Sequence, residues 1–584
     1  MKLKNILSIT GIAGFLLFYG SCTNLDEQIY DTLDSKIIKY TEEEIESMSG
    51  PVYTNLRYTY WAWEGMFDQC EESCDLLMTP LRIGVGWGEQ YILLHQHTFT
   101  SSIPHFWQTW YYPFVGIGYC NKLLDLPGIQ ADKEKVAEFR AMRALFYYIL
   151  FDFFRNVPLI TTSELPAGFL PIQEDPAVVY DFIVSELDSA KLNLPKTSGY
   201  GRMNYYAACM TLAKVYLNHN AWFYGNTTEG YTDNTWYQKA LAEANEVLAS
   251  PNYQLAAKYK DPQAADGSGC KEIIFAIPLD IDYASACYLS NKCLHPGSAA
   301  TFLINAAPWN GSCALPQFMD TYDPDDKRKT DTWLFGPQYS YKKNGTDITI
   351  YQYNDYVAAG STDGLVATPI STSDGPLNYS TSVHSINNPG AYKMEGARFW
   401  KKEIVSGRDG TYGDDVCFYR LADAMFIKAE CLLRLGTDKQ TAADLVSQVR
   451  LRSFPTNTAK ATRTVADLEG GSVYDYGYRE YTSEGATNYD PASFIATYEG
   501  GDDIELGGLL DDLAWEFIGE HHRRQDLIRF RLKDGSRNVF NGKSRFCYDA
   551  TSVPIADDLK KNLYPIHHDF LDANLKLVQN PGYE

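Results

Sequence analysis

The chain lacks the patterns by which bond-breaking chemistry usually declares itself. It contains no G-x-S-x-G elbow, no H-E-x-x-H pair and no phosphate-binding G-x-x-x-x-G-K-[ST] loop. Its twelve cysteines form no C-x-x-C pair and no zinc-type spacing. Cys70 and Cys74, one turn apart if helical, read as buried thiols. Positive charge is scarce: 51 Lys and Arg face 74 Asp and Glu, a formal charge of −23. Such a chain repels nucleic acid and anionic headgroups, so neither is a partner. Long apolar runs are scarce as well, and after the first 21 residues none could span a bilayer.

What the chain has is length, aromatics and a marked N-terminus. Its 584 residues exceed the usual single-domain size. Aromatics reach 14%, with 43 Tyr and 11 Trp, so many tyrosines must sit near the surface where their hydroxyls find partners. Lys2 and Lys4 precede an apolar stretch, Ile6 to Phe18, and then Tyr19-Gly20-Ser21-Cys22. Residues 1–21 read as a signal peptide. The small-small-Cys ending resembles a bacterial lipobox, which would leave Cys22 as a lipidated N-terminus on an acidic tether over residues 22–40. Each buried methylene of the lipid contributes about 0.8 kcal/mol of anchoring. An ordinary secretory signal with a chance cysteine is the alternative.

Helical periodicity organises much of the rest. Residues 41–60 read as a helix with Thr41 as N-cap and acids in its first turn. Further helices are expected at 107–126, 134–154 and 176–194. In the second of these, Val136, Phe139, Met142, Phe146, Ile149 and Phe153 keep the period. The pairs 202–222 with 234–250, and 418–435 with 438–453, fit tetratricopeptide-like hairpins. Between them lie aromatic, Gly/Asn/Ser-rich regions at 61–106, 252–416 and 454–508. These are too long for plain connections, and loops on a rigid scaffold are where binding usually resides.

Two C-terminal stretches carry a resemblance. WEFIGEHHRRQDLIRF, residues 515–530, reads as a helix on which Glu516, Glu520 and Arg524 stand one turn apart, a ladder of ion pairs. LYPIHHDFLDANLKLVQNPGYE, residues 563–584, is a proline-interrupted tail with apolar anchors that should pack back on the body. Trp515-Glu516-Phe517, Gly519-Glu520, Asp526-Leu527, Arg529, Pro565-Ile566 and Gln579-Asn580-Pro581-Gly582-Tyr583 together resemble the SusD/RagB family, with His567 in place of a second proline. Arg143-Ala144, Tyr147, Pro158-Leu159, Tyr419 to Asp423 and Ala429-Glu430 extend the resemblance. It implies a predominantly α SusD-like fold, with about four tetratricopeptide-like helix pairs, long irregular loops and little β-structure. Residues 41–270 would form the N-terminal helical region and 271–584 the C-terminal region with ligand loops, packed as one globule.

Candidate binding residues follow from sugar chemistry. A sugar ring offers C–H faces to Trp and Tyr and a rim of hydroxyls to Asn, Asp, Arg and Lys. In RIGVGWGEQY, residues 82–91, glycines flank Trp87 and leave its ring room to project. In 280–318, Asp282, Tyr283 and Tyr288 precede Trp309-Asn310-Gly311. Trp87 and Trp309 resemble stacking positions of the family; Trp61 and Trp63 are weaker candidates. For any of these tryptophans a core role is the plain alternative. His521-His522, His567-His568, His95 and His97 read as structural rather than metal-ligating. Asp323, Asp325 and Asp326 in YDPDDKR read as a turn with solvated acids. No metal or cofactor is expected.

Three functions compete. The resemblance implies a surface glycan-binding lipoprotein of the outer membrane. It would deliver oligo- or polysaccharide to a SusC-like TonB-dependent transporter and break no bond. An interaction scaffold, or a binder of a non-glycan nutrient such as peptide, would not need Trp87 or Trp309. A lipid-anchored glycoside hydrolase would show turnover, but no two carboxylates are marked as a pair.

Overall fold

A computed structural model describes residues 40–61, 64–225, 231, 233–285, 289–386, 391–409, 413–482 and 490–583. The signal peptide, Cys22 and the tether lie outside these residues, as does Trp63. The described part is mainly helical. The principal helices are α1 (Glu42–Trp61), α2 (Met66–Glu71), α3 (Pro104–Leu124), α4 (Lys133–Phe154), α5 (Pro176–Lys191), α6 (Tyr205–Tyr224), α7 (Asn234–Leu248), α8 (Leu421–Leu435), α9 (Lys439–Leu451), α10 (Gly507–Phe517) and α11 (Arg523–Arg529). They pack in pairs: α1 with α3, α4 with α5, α6 with α7, and α8 with α9. The third pair joins the fourth where α7 lies against α8.

Local chemistry sets where these helices begin. The Thr41 hydroxyl accepts from the Glu44 amide while the Glu44 carboxylate accepts from the Thr41 amide, a closed capping box. Asp132, Asp175, Asn204 and Asp233 cap α4, α5, α6 and α7 in the same sense, each accepting from an amide of the first turn. The expected stripe of α4 is present, and the helix is buried on nearly every side from Ala137 to Phe154.

The long loop regions contain short strands. β2 (Ile273–Ile277) and β7 (Val416–Arg420) pair antiparallel, and every residue of both is buried. β1 (Leu77–Met78) pairs with β3 (Cys313–Ala314). A peripheral three-stranded sheet has the order β5 (Thr346–Ile348), β4 (Tyr339–Lys343), β6 (Leu365–Pro369). One large core runs through the helix pairs and the β2–β7 ribbon, and a smaller one lies beneath the peripheral sheet. Cys70 and Cys74 are buried, and burial pushes both thiols up, which keeps them protonated.

The stretch 515–530 departs from the single helix that its sequence suggests. α10 ends at Phe517 and α11 starts at Arg523, with Gly519 (φ 77°) and His521 (φ 58°) in left-handed conformations between them. A side chain at 519 would strike the Phe399 ring, so the turn there requires glycine. The break redirects the charged residues. Glu516 and Glu520 do not pair with Arg524; both hold Arg420, at 2.9 and 2.7 Å. Glu516 also meets Arg452 at 2.6 Å, and Glu272 bridges Arg420 and Arg452 at 2.8 and 2.6 Å. Arg523 pairs with Asp75, Arg524 with Asp152, and Arg529 with Glu430 and Asp526. The ladder is a buried network between distant segments. Burial opposes ionisation of Glu516, but Arg452, Arg420 and Arg328 outweigh it and hold the carboxyl well below its usual range.

The tail packs back as expected. Tyr564 and Ile566 are buried, and the Asn580 amide donates to the carbonyls of Phe154 (3.1 Å) and Tyr564 (2.7 Å). In YDPDDKR, Lys460 bridges Asp323 and Asp325, whereas Asp326 is buried against Arg328 at 2.7 Å. The turn is therefore only partly solvated.

Two outcomes follow. Arg420→Met removes the one cation shared by Glu516, Glu520 and Glu272, leaving three buried carboxylates under-compensated, and should cost about 3–5 kcal/mol in urea denaturation. Lys460→Ala, at an exposed bridge, should cost less than about 1 kcal/mol, and equal costs would disprove the network's primacy. Glu71 accepts from the His521 amide at 3.0 Å, and burial pushes its carboxyl up to about 8 from 4.5. A raised carboxyl favours the folded state at low pH and loses that advantage between pH 4.5 and 8. Glu71→Gln should therefore gain stability relative to the unchanged protein across that window, and a flat difference from pH 4.5 to 8 would refute this.

Candidate functional site

The segment Trp309-Asn310-Gly311 is fixed by its backbone. The amides of Trp309, Asn310 and Gly311 donate to the carbonyls of Asn291 (2.5 Å), Leu294 (2.8 Å) and Lys292 (2.5 Å). Asn310 takes a left-handed conformation, φ 60°, to make these three bonds at once. Gly311 is required for a different reason: a Cβ there would lie 2.5 Å from the Trp87 ring. The Gly311 carbonyl in turn accepts from Arg82 Nε at 3.0 Å.

Trp87 is not a projecting ring. It is 9% exposed, donates its indole N–H to the Trp309 carbonyl at 3.0 Å, and meets Tyr91 edge-on with centroids 5.6 Å apart. Its flanking glycines do not free it, because Gly311 and Tyr91 close over it from elsewhere in the chain. Beneath lies a buried charge cluster. Lys292 Nζ donates to Asp68 (2.6 Å) and Glu72 (2.7 Å) and sits 4.3 Å from the Tyr91 ring centroid. Glu72 also accepts from Thr79 and Ser312, each at 2.7 Å. Burial works against the Asp68 carboxylate, yet Lys292 and His105 hold it well below the usual range. The two carboxylates likewise raise Lys292 despite its burial. The platform thus stands on a buried, hydrogen-bonded ion-pair cluster.

The structure brings Trp87, Trp309 and Asn310 together, with Trp309 half-buried. The Asn310 side chain is 2% exposed, and its amide nitrogen and oxygen lack partners among the described residues. Asp282 and Tyr283 lie on a separate turn, where their amides donate to Asp280 Oδ1. Tyr283 is 91% exposed, the most open large apolar side chain of the described residues. No contact between Tyr283 and the Trp87 cluster is found among those residues. Tyr288 lies outside the described residues, as does the side chain of Trp61.

Two of the histidines have fixed partners. His521 bonds Tyr60 and His522 pairs with Asp423 at 2.9 Å. His567, His568 and Asp569 offer ligand atoms within 4.8 Å of one another. The His567 Nδ1 already accepts from the Asp569 amide as a helix cap, at 3.3 Å. Sequence reasoning gave no role to Lys292, Asp68, Glu72 and Arg82, which support the platform; Lys292 and Arg82 lie within the candidate stretches, whereas Asp68 and Glu72 stand far from Trp309 in the chain.

Trp309 and Asn310 are thus held on a helical scaffold, and comparison with known proteins bears on that fold. The model of the SusD family matches residues 309–583. Over that stretch, just under half of its length, the chain is similar to the SusD family. It is 24% identical over 508 residues to the starch-binding protein SusD of Bacteroides thetaiotaomicron, covering 81% of this chain and 78% of that protein. Its fold matches a SusD superfamily protein from Parabacteroides distasonis (TM-score 0.64, 18% identity, 93% of this chain and all of that one). It also matches the surface glycan-binding protein A of Bacteroides thetaiotaomicron solved with laminarihexaose (TM-score 0.61, 17% identity, 93% and 100% coverage).

Gly311→Ala should force the Trp87 indole aside and cost about 1–3 kcal/mol through overpacking. The accompanying red shift in tryptophan emission should vanish in Gly311→Ala/Trp87→Phe. An unshifted spectrum would contradict the contact.

Proposed function

We propose that this chain is a cell-surface glycan-binding protein. It captures oligo- or polysaccharide and delivers it to a SusC-like TonB-dependent outer-membrane transporter. Lipid on Cys22 would tether it to the outer membrane. No bond is broken, so the protein is not an enzyme in this reading, and no metal or cofactor takes part. The reading is carried by its likeness to a starch-binding relative over most of both chains. The local chemistry supports it. Trp309, half-buried at the edge of a rigid backbone ladder, would stack on a sugar face. Asn310 would offer its unpartnered amide to hydroxyls. Tyr283, with Asp282 beside it, would meet the chain of sugars at a second point. Trp87 would act from below, holding the Trp309 carbonyl and with it the platform. Tyr288, Trp61 and Trp63 remain candidates for further contacts. Each contact to an exposed, hydroxyl-rich ligand is weak, so retention would rest on several of them and on surface multivalency.

Affinity electrophoresis of residues 23–584 in gels containing a panel of polysaccharides tests this directly. One glycan should retard the protein. Trp309→Ala should weaken that retardation about 2- to 10-fold, as expected for about 0.5–1.5 kcal/mol per stacked ring. Tyr283→Ala should weaken it less. Retardation by no glycan would move the reading to a peptide or other small nutrient. Unchanged retardation in Trp309→Ala would sink the site.

A further inference from the structure

A cavity of about 240 Å3 lies between α1, the 200–202 turn and the segment after β2. It is smaller than the about 300–1,000 Å3 of sites that enclose a whole drug-sized ligand, so it suits a single ring rather than an oligomer. Its wall includes Arg57, Tyr53, Tyr200, Arg202 and Ala284. Ala284 follows directly on Tyr283, so the cavity adjoins the turn that carries that exposed ring.

Arg57 is the anomaly. It is 8% exposed, yet it makes no hydrogen bond and no ion pair among the described residues, and its Nε is buried without a partner. Its guanidinium rests on the neighbouring Tyr58 ring, 4.6 Å from the centroid. A buried charge is ordinarily paired, because an unpaired one forfeits its hydration without recompense. The other charges around the cavity are already committed. Arg202 holds Glu46 at 2.8 Å and Glu138 at 2.6 Å. Glu138 also takes Lys135 at 3.2 Å and the Tyr53 hydroxyl at 2.5 Å. The Tyr200 hydroxyl donates to Asp415 at 2.9 Å. Among the described residues no carboxylate of the wall is left for Arg57, which leaves one uncompensated positive charge there.

We propose that this cavity binds the carboxylate of an acidic sugar residue of the uronate type, with Arg57 as its fork-shaped donor. A guanidinium matches a carboxylate with two parallel hydrogen bonds. Tyr200 supplies a ring face for the C–H surface of the sugar, while the Tyr53 ring already carries Arg202, 4.6 Å from its centroid. The assignment of a sugar acid rests on the glycan-binding reading above; the anion site itself rests on Arg57. The site is separate from the Trp309 platform and would select ligands that carry charge.

Isothermal titration of residues 23–584 with sodium glucuronate tests the proposal, beside its methyl ester, acetate and inorganic phosphate. Saturable glucuronate binding is expected, weakening as salt rises and absent for the ester. Arg57→Met should weaken it at least about tenfold, and Arg57→Lys should retain part of it. Thermal melts report whether each variant folds, and the ester arm needs no variant at all. Trp309→Ala should leave glucuronate binding intact, so this proposal and the platform fail separately. No binding, equal binding of the ester, or unchanged binding in a folded Arg57→Met would overturn the site. Acetate or phosphate binding as tightly as glucuronate would overturn the sugar assignment.

Discussion

The structure depends on one buried arginine. Arg420 ends β7, begins α8, and reaches Glu272 beside β2, Glu516 on α10 and Glu520 in the break before α11. It therefore fastens the ribbon of the C-terminal region to the segment that closes the fold. Arg452 and Lys401 complete the cage, the latter donating to the Glu516 and Ile518 carbonyls. Charges so deep are costly to bury and gain stability only when every lone pair is answered. Their directional demands fix how the segments must meet, where apolar packing alone would tolerate a slide.

The platform inherits this rigidity. α2 and its C-terminal cap carry Asp68, Glu71 and Glu72 within five residues, and these face two different parts of the chain. Glu71 receives the amide of His521 in the break, while Asp68 and Glu72 receive Lys292 beneath Trp87. Two hydrogen-bonded steps thus join the helix-break network to the backbone that presents Trp309. Binding residues on loops acquire fixed positions when their supports are anchored in the scaffold. Here the anchor is electrostatic, and the platform side chains themselves need contribute little to stability.

Helices were legible in the sequence to within a few residues, because period, caps and prolines are local signals. α4 and α5 show this plainly, with Asp132 and Asp175 written just ahead of their apolar stripes. The break at Gly519 was less legible. A glycine inside a helical pattern is tolerated often enough that only the Phe399 ring, 120 positions away, decides the matter. Trp87 failed for the same reason. Flanking glycines describe what its neighbours in sequence leave open, whereas Gly311 and Tyr91 decide what its neighbours in space close. The ion pairs illustrate the limit from another side: the residue types were evident, the partners were not. Arg57 carries no local mark at all, since its oddity consists in what fails to face it.

The tail closes the molecule in a way that bears on how it is made. Asn580 donates to the Phe154 carbonyl across 426 positions, at the end of a helix buried on nearly every side. Tyr564 and Arg524 meet beside it, with the guanidinium 4.6 Å from the ring centroid. The end of α4 is therefore finished by residues synthesised long after it. Loops that long are slow to close, and the chain must remain without its final contacts while they are awaited. A half-made molecule would expose the aromatic floor between α3 and α4, so its passage to the native state calls for protection until the final turn of the chain arrives.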